Sequence, residues 1–152
     1  MKAIDVANWF VVKANSENLG NDTSEGISNL KLQKMLYFAQ AAHLALGNNT
    51  PLFDDEISAW EFGPVVEAVY QNFKSSKNQP IAKPTDENYK NFNDETVGFL
   101  ENVWSIFGKF SAAKLVQMSH EHKPWIEAYK SDNKTISKQK IFDYYKTAFK
   151  QV

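Results

Sequence analysis

The stretch "SHEHKPW", residues 119–125, holds two of the chain's three histidines, His120 and His122, with Glu121 between them. Imidazole and carboxylate are the side chains that ligate metals and move protons near neutral pH. Zinc proteases set two histidines four residues apart, one helical turn, so that both face one ion. Here the spacing is His-x-His, and on a helix residues two apart point about 200° away from each other. The preceding "SAAKLVQMS" has a helical pattern, and Pro124 disfavours helix at Lys123. The stretch therefore reads as one helix ending and another beginning, with both histidines suited to the negative end of the first macrodipole. His120 is expected to pack or hydrogen-bond near Trp125, and His122 to be exposed. Neither is expected to hold a metal.

The remaining chemistry-bearing residues give no constellation. His43 lies alone on the apolar side of a helical segment and reads as a hydrogen-bonded core histidine, open to meeting His120 or a carboxylate in the fold. Asp54, Asp55 and Glu56 could in principle hold Mg²⁺ or Ca²⁺, but they lack the spacing of a calcium loop and read as a solvated acidic turn. There is no phosphate-binding glycine loop and no nucleophile elbow. No nucleophile, base and oxyanion site assemble, so no catalytic residue, metal or other cofactor is expected.

Composition narrows the partners. The chain has 152 residues, which fits one domain, and its 43% hydrophobic content with eleven Phe, six Tyr and four Trp is ample for a core. With no cysteine, disulfides and thiolate chemistry are excluded. No apolar run approaches the roughly 20 residues that span a bilayer, and "MKAIDVANWF" reads as a first helix rather than a signal peptide. A cytoplasmic location with no membrane partner is the expectation. All 17 basic residues are Lys. Without the planar fork of Arg, sequence-specific DNA reading and phosphoryl transfer are disfavoured. The net charge of −1 hides an uneven distribution. Residues 51–70 carry Asp54, Asp55, Glu56, Glu61 and Glu67 with no Lys, whereas residues 109–152 carry nine Lys against four acids.

The elements follow from periodicity. Residues 3–15 repeat apolar positions at helical spacing, and "SENLGNDTSEG" follows as a polar loop. Ser28 caps a long helix that Gly47 ends. That helix is apolar on nearly every side and so is expected at the centre; Lys31, Gln33, Lys34 and Gln40 are its polar exceptions. Residues 56–61 alternate as a short strand, Gly63–Pro64 breaks it, and Pro64 is expected to open the next helix. Ile81–Lys83 is the expected second strand. Further helices span 94–107, begin after Ser111, at Pro124, and after Ser137. The expected fold is mainly α: a single compact domain of about six or seven helices with a minor two-stranded β element. Trp60 and Phe62 share a strand face and read by default as core, with an exposed, partner-facing pair as the alternative.

Three blocks in order, "SNLKLQKMLYFAQAAHLAL", "PLFDDEISAWEFGPVVEAVYQNF" and "FGKFSAAKLVQMSHEHKPWIEAYK", followed by "ISKQKIFDYYKTAF", resemble the Panacea domain family of bacteria and phages, also described as SocA-like. The distinctive residues are Leu30, Lys31, Leu32, Gln33 and Lys34 with Tyr37 and Phe38; Trp60 with Gly63, Pro64 and Val65; and His120 with Pro124 and Trp125. Ser119 stands where the family often has Thr, and keeps the hydroxyl. The resemblance covers nearly the whole chain. It implies an antitoxin that neutralises a cognate toxin by direct contact, and it names no catalytic residues. Asp54, Asp55, Trp60, Glu61, Phe62 and Glu67 are then the expected partner-binding surface, because toxins that attack RNA or nucleotides tend to have basic active sites. The alternatives are a DNA-binding regulator using the Lys-rich C-terminal third, or an adaptor delivering a partner to a protease.

Overall fold

The computed structural model describes residues 1–17 and 26–149; most of the expected loop after the first helix, and Lys150, lie outside them. Helix α1 spans Ala3–Glu17 and α2 spans Asn29–Leu46; strands β1 (Ile57–Trp60) and β2 (Gly63–Val65) follow. Helix α3 covers Glu67–Phe73, α4 Asp94–Phe107, α5 Ala112–His120 and α6 Lys123–Tyr129, and after strand β3 (Thr135–Ile136) comes α7, Lys138–Ala148. Short 3₁₀ turns occupy Lys74–Ser76 and Asn88–Asn91.

Side-chain caps set most helix starts. The Oγ of Ser28, Ser111 and Ser137 accepts the backbone N–H of Lys31, Lys114 and Lys140 at 3.2, 3.0 and 3.1 Å, and Asn93 Oδ1 accepts that of Thr96 at 2.8 Å. Each such cap satisfies one of the four orphan donors of a helix and contributes about 1 kcal/mol. The start of α1 is capped from a distance: Asp55 Oδ1 accepts the Ala3 N–H at 3.0 Å.

As its all-round apolar pattern requires, α2 is the central helix. It packs against α1, α3, α4, α5, α7 and β2. Leu32, Met35, Leu36, Tyr37, Phe38, Ala39, Ala41 and Leu44 are all buried. The Phe38 ring stacks on Phe107 (centroids 4.8 Å apart, 12° between planes) and meets Tyr37 edge-on at 5.2 Å.

The sheet differs from expectation. It has three antiparallel strands in the order β2-β1-β3, with Ala59 opposite Pro64, Trp60 opposite Gly63, and Ile57 opposite Ile136. Pro64 does not open a helix; it sits in the edge strand β2, where a missing N–H is tolerated. The helix starts three residues later, at Glu67. Ile81–Lys83 is not a strand: the Ile81 N–H is taken at 2.9 Å by the Ile27 carbonyl, just before α2. The partner of β1 is instead Thr135–Ile136, a segment too short to show strand periodicity.

Leu36 and Phe38 are essentially inaccessible to solvent. Leu36→Ala or Phe38→Ala is expected to lower unfolding free energy by about 2–5 kcal/mol, as large-to-small core changes do. Urea denaturation of each variant measures this, and a loss below about 0.5 kcal/mol at both positions would remove α2 from the centre of the fold.

Candidate functional site

The polar exceptions of α2 converge on backbone. Gln33 Oε1 accepts the Val66 N–H at 2.9 Å, while its Nε2 donates to Asn29 Oδ1 at 2.9 Å. Asn29 Nδ2 in turn donates to the Tyr70 carbonyl at 3.2 Å. Lys34 is fully buried and its Nζ donates to the Pro64 carbonyl at 2.7 Å. Gln40 accepts from the Leu52 and Phe53 N–H groups at 2.7 and 3.3 Å and donates to the Phe53 carbonyl at 2.8 Å. Lys31 Nζ donates to the Gly108 carbonyl at 2.6 Å. Asn29, Gln33, Lys34 and Gln40 hold the chain from Leu52 to Tyr70 against the central helix. Burial pushes the Lys34 ammonium down to about 7, and lowers Lys31 in the same direction.

Helices α5 and α6 hold the same segment from the other side. His120 Nε2 lies 2.9 Å from the Glu61 carbonyl, and its ring stacks on Trp125 with centroids 4.1 Å apart. Trp125 Nε1 donates to the Trp60 carbonyl at 2.8 Å, and its ring stacks on Tyr129 at 4.7 Å. Pro124, buried at the start of α6, sets the turn that brings His120 and Trp125 face to face. Gly63 has φ of +104°, and a Cβ there would stand 2.7 Å from Lys34 Cε and 2.9 Å from Ser119 Oγ. Only glycine lets β2 pass this close to both helices. His120 thus packs on Trp125 as its spacing implied.

His122 does not match its expectation. It is half-buried, with Nδ1 at 2.6 Å from the Tyr145 hydroxyl, which donates to Tyr37 Oη at 3.1 Å. Packing of α7 over α2 covers it, and burial lowers its pKa. His43 is partly exposed rather than in the core, with Nδ1 2.7 Å from the Thr50 carbonyl and its ring edge-on to Phe99. The three histidines thus have three separate sets of partners. Among the described residues, no three His, Asp or Glu side chains are grouped as a metal site would need.

Beside the β1–β2 turn lies a groove of about 670 Å³. Leu30, Trp60, Phe62, Val65, Tyr70 and Tyr129 form its apolar lining. Trp60 is half-buried, its ring edge-on to Tyr70 at 5.0 Å, whereas Phe62 is 63% exposed. Phe62 is therefore not core: it sits in the turn, beyond the end of β1. Lys74, Lys77 and Lys134 supply positive charge, against Glu61 alone, and the buried Lys34 lies beneath them.

The expected acidic surface is divided. Glu61 is exposed on the groove. Asp55 caps α1, Glu67 accepts the Ser58 hydroxyl at 2.8 Å, and Asp54 is exposed with its carbonyl taken by Lys138 Nζ at 3.0 Å. The C-terminal lysines are partly engaged as well: Lys140 pairs with Glu127 at 3.2 Å and Lys146 with Asp143 at 3.7 Å. Sequence reasoning missed Lys74, Lys77, Lys134 and Tyr129 as neighbours. They come from three separate segments, and no periodicity links them.

A family model described as antitoxin SocA-like, Panacea domain, matches residues 32–126. Antitoxin SocA of Caulobacter vibrioides (strain NA1000 / CB15N) is 35% identical over 117 residues, covering 65% of this chain and 58% of that protein. The chain thus spans under two thirds of that relative's length. No solved structure matches significantly. The matched segment begins in α2 and ends in α6, so it contains the hairpin and most of the helices that hold it.

The buried ammonium gives a pH signature. Lys34 ionises at about 7 in the folded chain against an ordinary 10.5. Below pH 7 both folded and unfolded chains hold the proton, and the burial cost is fully present. As pH rises towards 10.5 the folded chain releases the proton first, so stability is gained. The stability of the wild type minus that of Lys34→Met is expected to rise with pH across this window, by on the order of a few kcal/mol. Denaturant titrations at several pH values test it; a difference independent of pH would mean that Lys34 is charged in the fold.

Proposed function

The chain belongs to the Panacea domain family of SocA-like antitoxins, and from that premise we propose that it neutralises a cognate toxin by binding it directly, without catalysis and without a cofactor. The observation that carries this reading is the β1–β2 turn. It presents an exposed aromatic, Phe62, on a backbone held by hydrogen bonds from α2, α5 and α6. A contact loop that is already ordered loses little conformational entropy on association, and that favours tight binding. An aromatic anchor beside a groove with a charged rim has the anatomy of an interface centre.

The contact surface in this reading comprises Trp60, Glu61 and Phe62, with Asp54 and Glu67 at its acidic margin. Asp55 belongs to the same segment but serves α1, so changing it would report on folding as well as contact. Among the described residues no helix is long and apolar enough to cross a membrane.

Co-expression with the toxin encoded by the adjacent gene tests the proposal through growth rescue and co-purification. Phe62→Ala is expected to weaken the complex by tenfold or more, about 1.4 kcal/mol, and Glu61→Lys to change the association rate and its salt dependence. Circular dichroism should be unchanged, since both side chains are exposed. Growth rescue without any association of the two purified proteins would overturn direct neutralisation.

A further inference from the structure

Large apolar side chains left in solvent are few among the described residues: Met1, Leu30, Leu46, Phe62 and Ile106. Two of the five, Leu30 (40% exposed) and Phe62 (63%), border the same groove. The apolar surface therefore continues from the cavity onto the apex of the turn, further than a small molecule lodged inside would cover. A segment of protein chain crossing the groove would cover both.

The charges define the chemistry of that segment. Lys134 is already used, its Nζ donating to the Tyr129 carbonyl at 2.6 Å and lying over that ring. Lys34 is buried beneath the floor with a carbonyl as its hydrogen-bond partner. Lys74 and Lys77 are exposed, and among the described residues neither forms an ion pair. Glu61 is the single carboxylate facing Lys74, Lys77 and Lys134. A basic occupant would meet net repulsion; an acidic one would find open partners at the rim.

We propose that the groove seats an extended segment of the partner protein in which a carboxylate stands next to a bulky apolar side chain. The apolar group packs against Trp60 and Phe62, and the carboxylate meets Lys74 and Lys77. This rests on the antitoxin reading and specifies what the toxin presents: an acidic, apolar stretch, not a basic active site.

The test uses two fluorescein-labelled seven-residue peptides. One alternates Glu with Phe and Leu; the other carries Lys at every Glu position. Anisotropy titrations against the full chain are expected to show the acidic peptide binding at least tenfold more tightly than the basic one, with the advantage shrinking as salt rises. The double variant Lys74→Glu, Lys77→Glu is expected to reverse the preference, which a merely misfolded protein would not do. Equal affinity for both peptides, or an acidic-peptide affinity unchanged in the double variant, would overturn the proposal. Co-purification separates this failure from that of the antitoxin reading. Toxin held equally by wild type and double variant leaves the antitoxin role standing and removes the groove as its seat. Toxin held by neither removes direct neutralisation, while the peptide titrations still decide the groove.

Discussion

The structure depends on a constraint that arises when an almost wholly apolar helix is placed at the centre of a small protein. Every buried polar side chain on α2 must find a partner indoors, because an unpaired buried donor or acceptor costs about 1–3 kcal/mol. Gln33, Lys34 and Gln40 find theirs in the backbone of residues 52–66. Leu52, Phe53 and Val66 lie outside β1 and β2, and Pro64 is in an edge strand, so no strand partner takes these backbone groups. The central helix and this segment complete one another: each supplies what the other would leave unsatisfied. The sharpest case is Lys34, a fully buried lysine whose attachment point is one proline carbonyl.

The consequence is a division of labour across the hairpin. Its backbone faces inward, to α2 on one side and to His120 and Trp125 on the other. Some of its side chains are left outward, with Phe62 the most exposed large apolar residue between α2 and α3. The stack of His120, Trp125 and Tyr129 braces the turn: its polar atoms at the hairpin are bonded to main-chain carbonyls. The histidine pair that first looked like chemistry therefore divides: His120 holds the turn, and His122 joins Tyr145 and Tyr37 in a buried relay of hydrogen bonds under α7.

Much of the helical architecture was legible in the sequence because its signals are local. Ser28, Gly47, Ser111 and Ser137 mark boundaries by satisfying or refusing backbone hydrogen bonds, and the observed helices begin and end at them; α6 begins one residue before Pro124, at Lys123, which the proline was expected to keep out of the helix. The sheet was only half legible. Pro64 is a good first-turn residue for a helix, and tertiary contact with Lys34 and Ser119 overrides that preference by drawing Gly63–Val65 into an edge strand. Strand β3, two residues long, offers no period to detect. Of the site, the family-like residues were visible as a pattern, but not what they do. That Gln33 and Lys34 reach across to residues 64–66 is a long-range fact with no counterpart in spacing. The default core reading of Phe62 fails because β1 stops at Trp60, so strand alternation no longer governs the next two residues.

The bonds that fix the hairpin nearly all end on main-chain atoms: the carbonyls of Trp60, Glu61 and Pro64 and the amide of Val66. Every amino acid brings a carbonyl, so the identity of the side chains at positions 61 and 62 is decoupled from the geometry of the loop that displays them. Those two positions can be rewritten without renegotiating the core, whereas Gly63, wedged between two helices, cannot. A scaffold organised in this way can diversify its recognition chemistry at a fixed point in space, much as a socket accepts interchangeable bits.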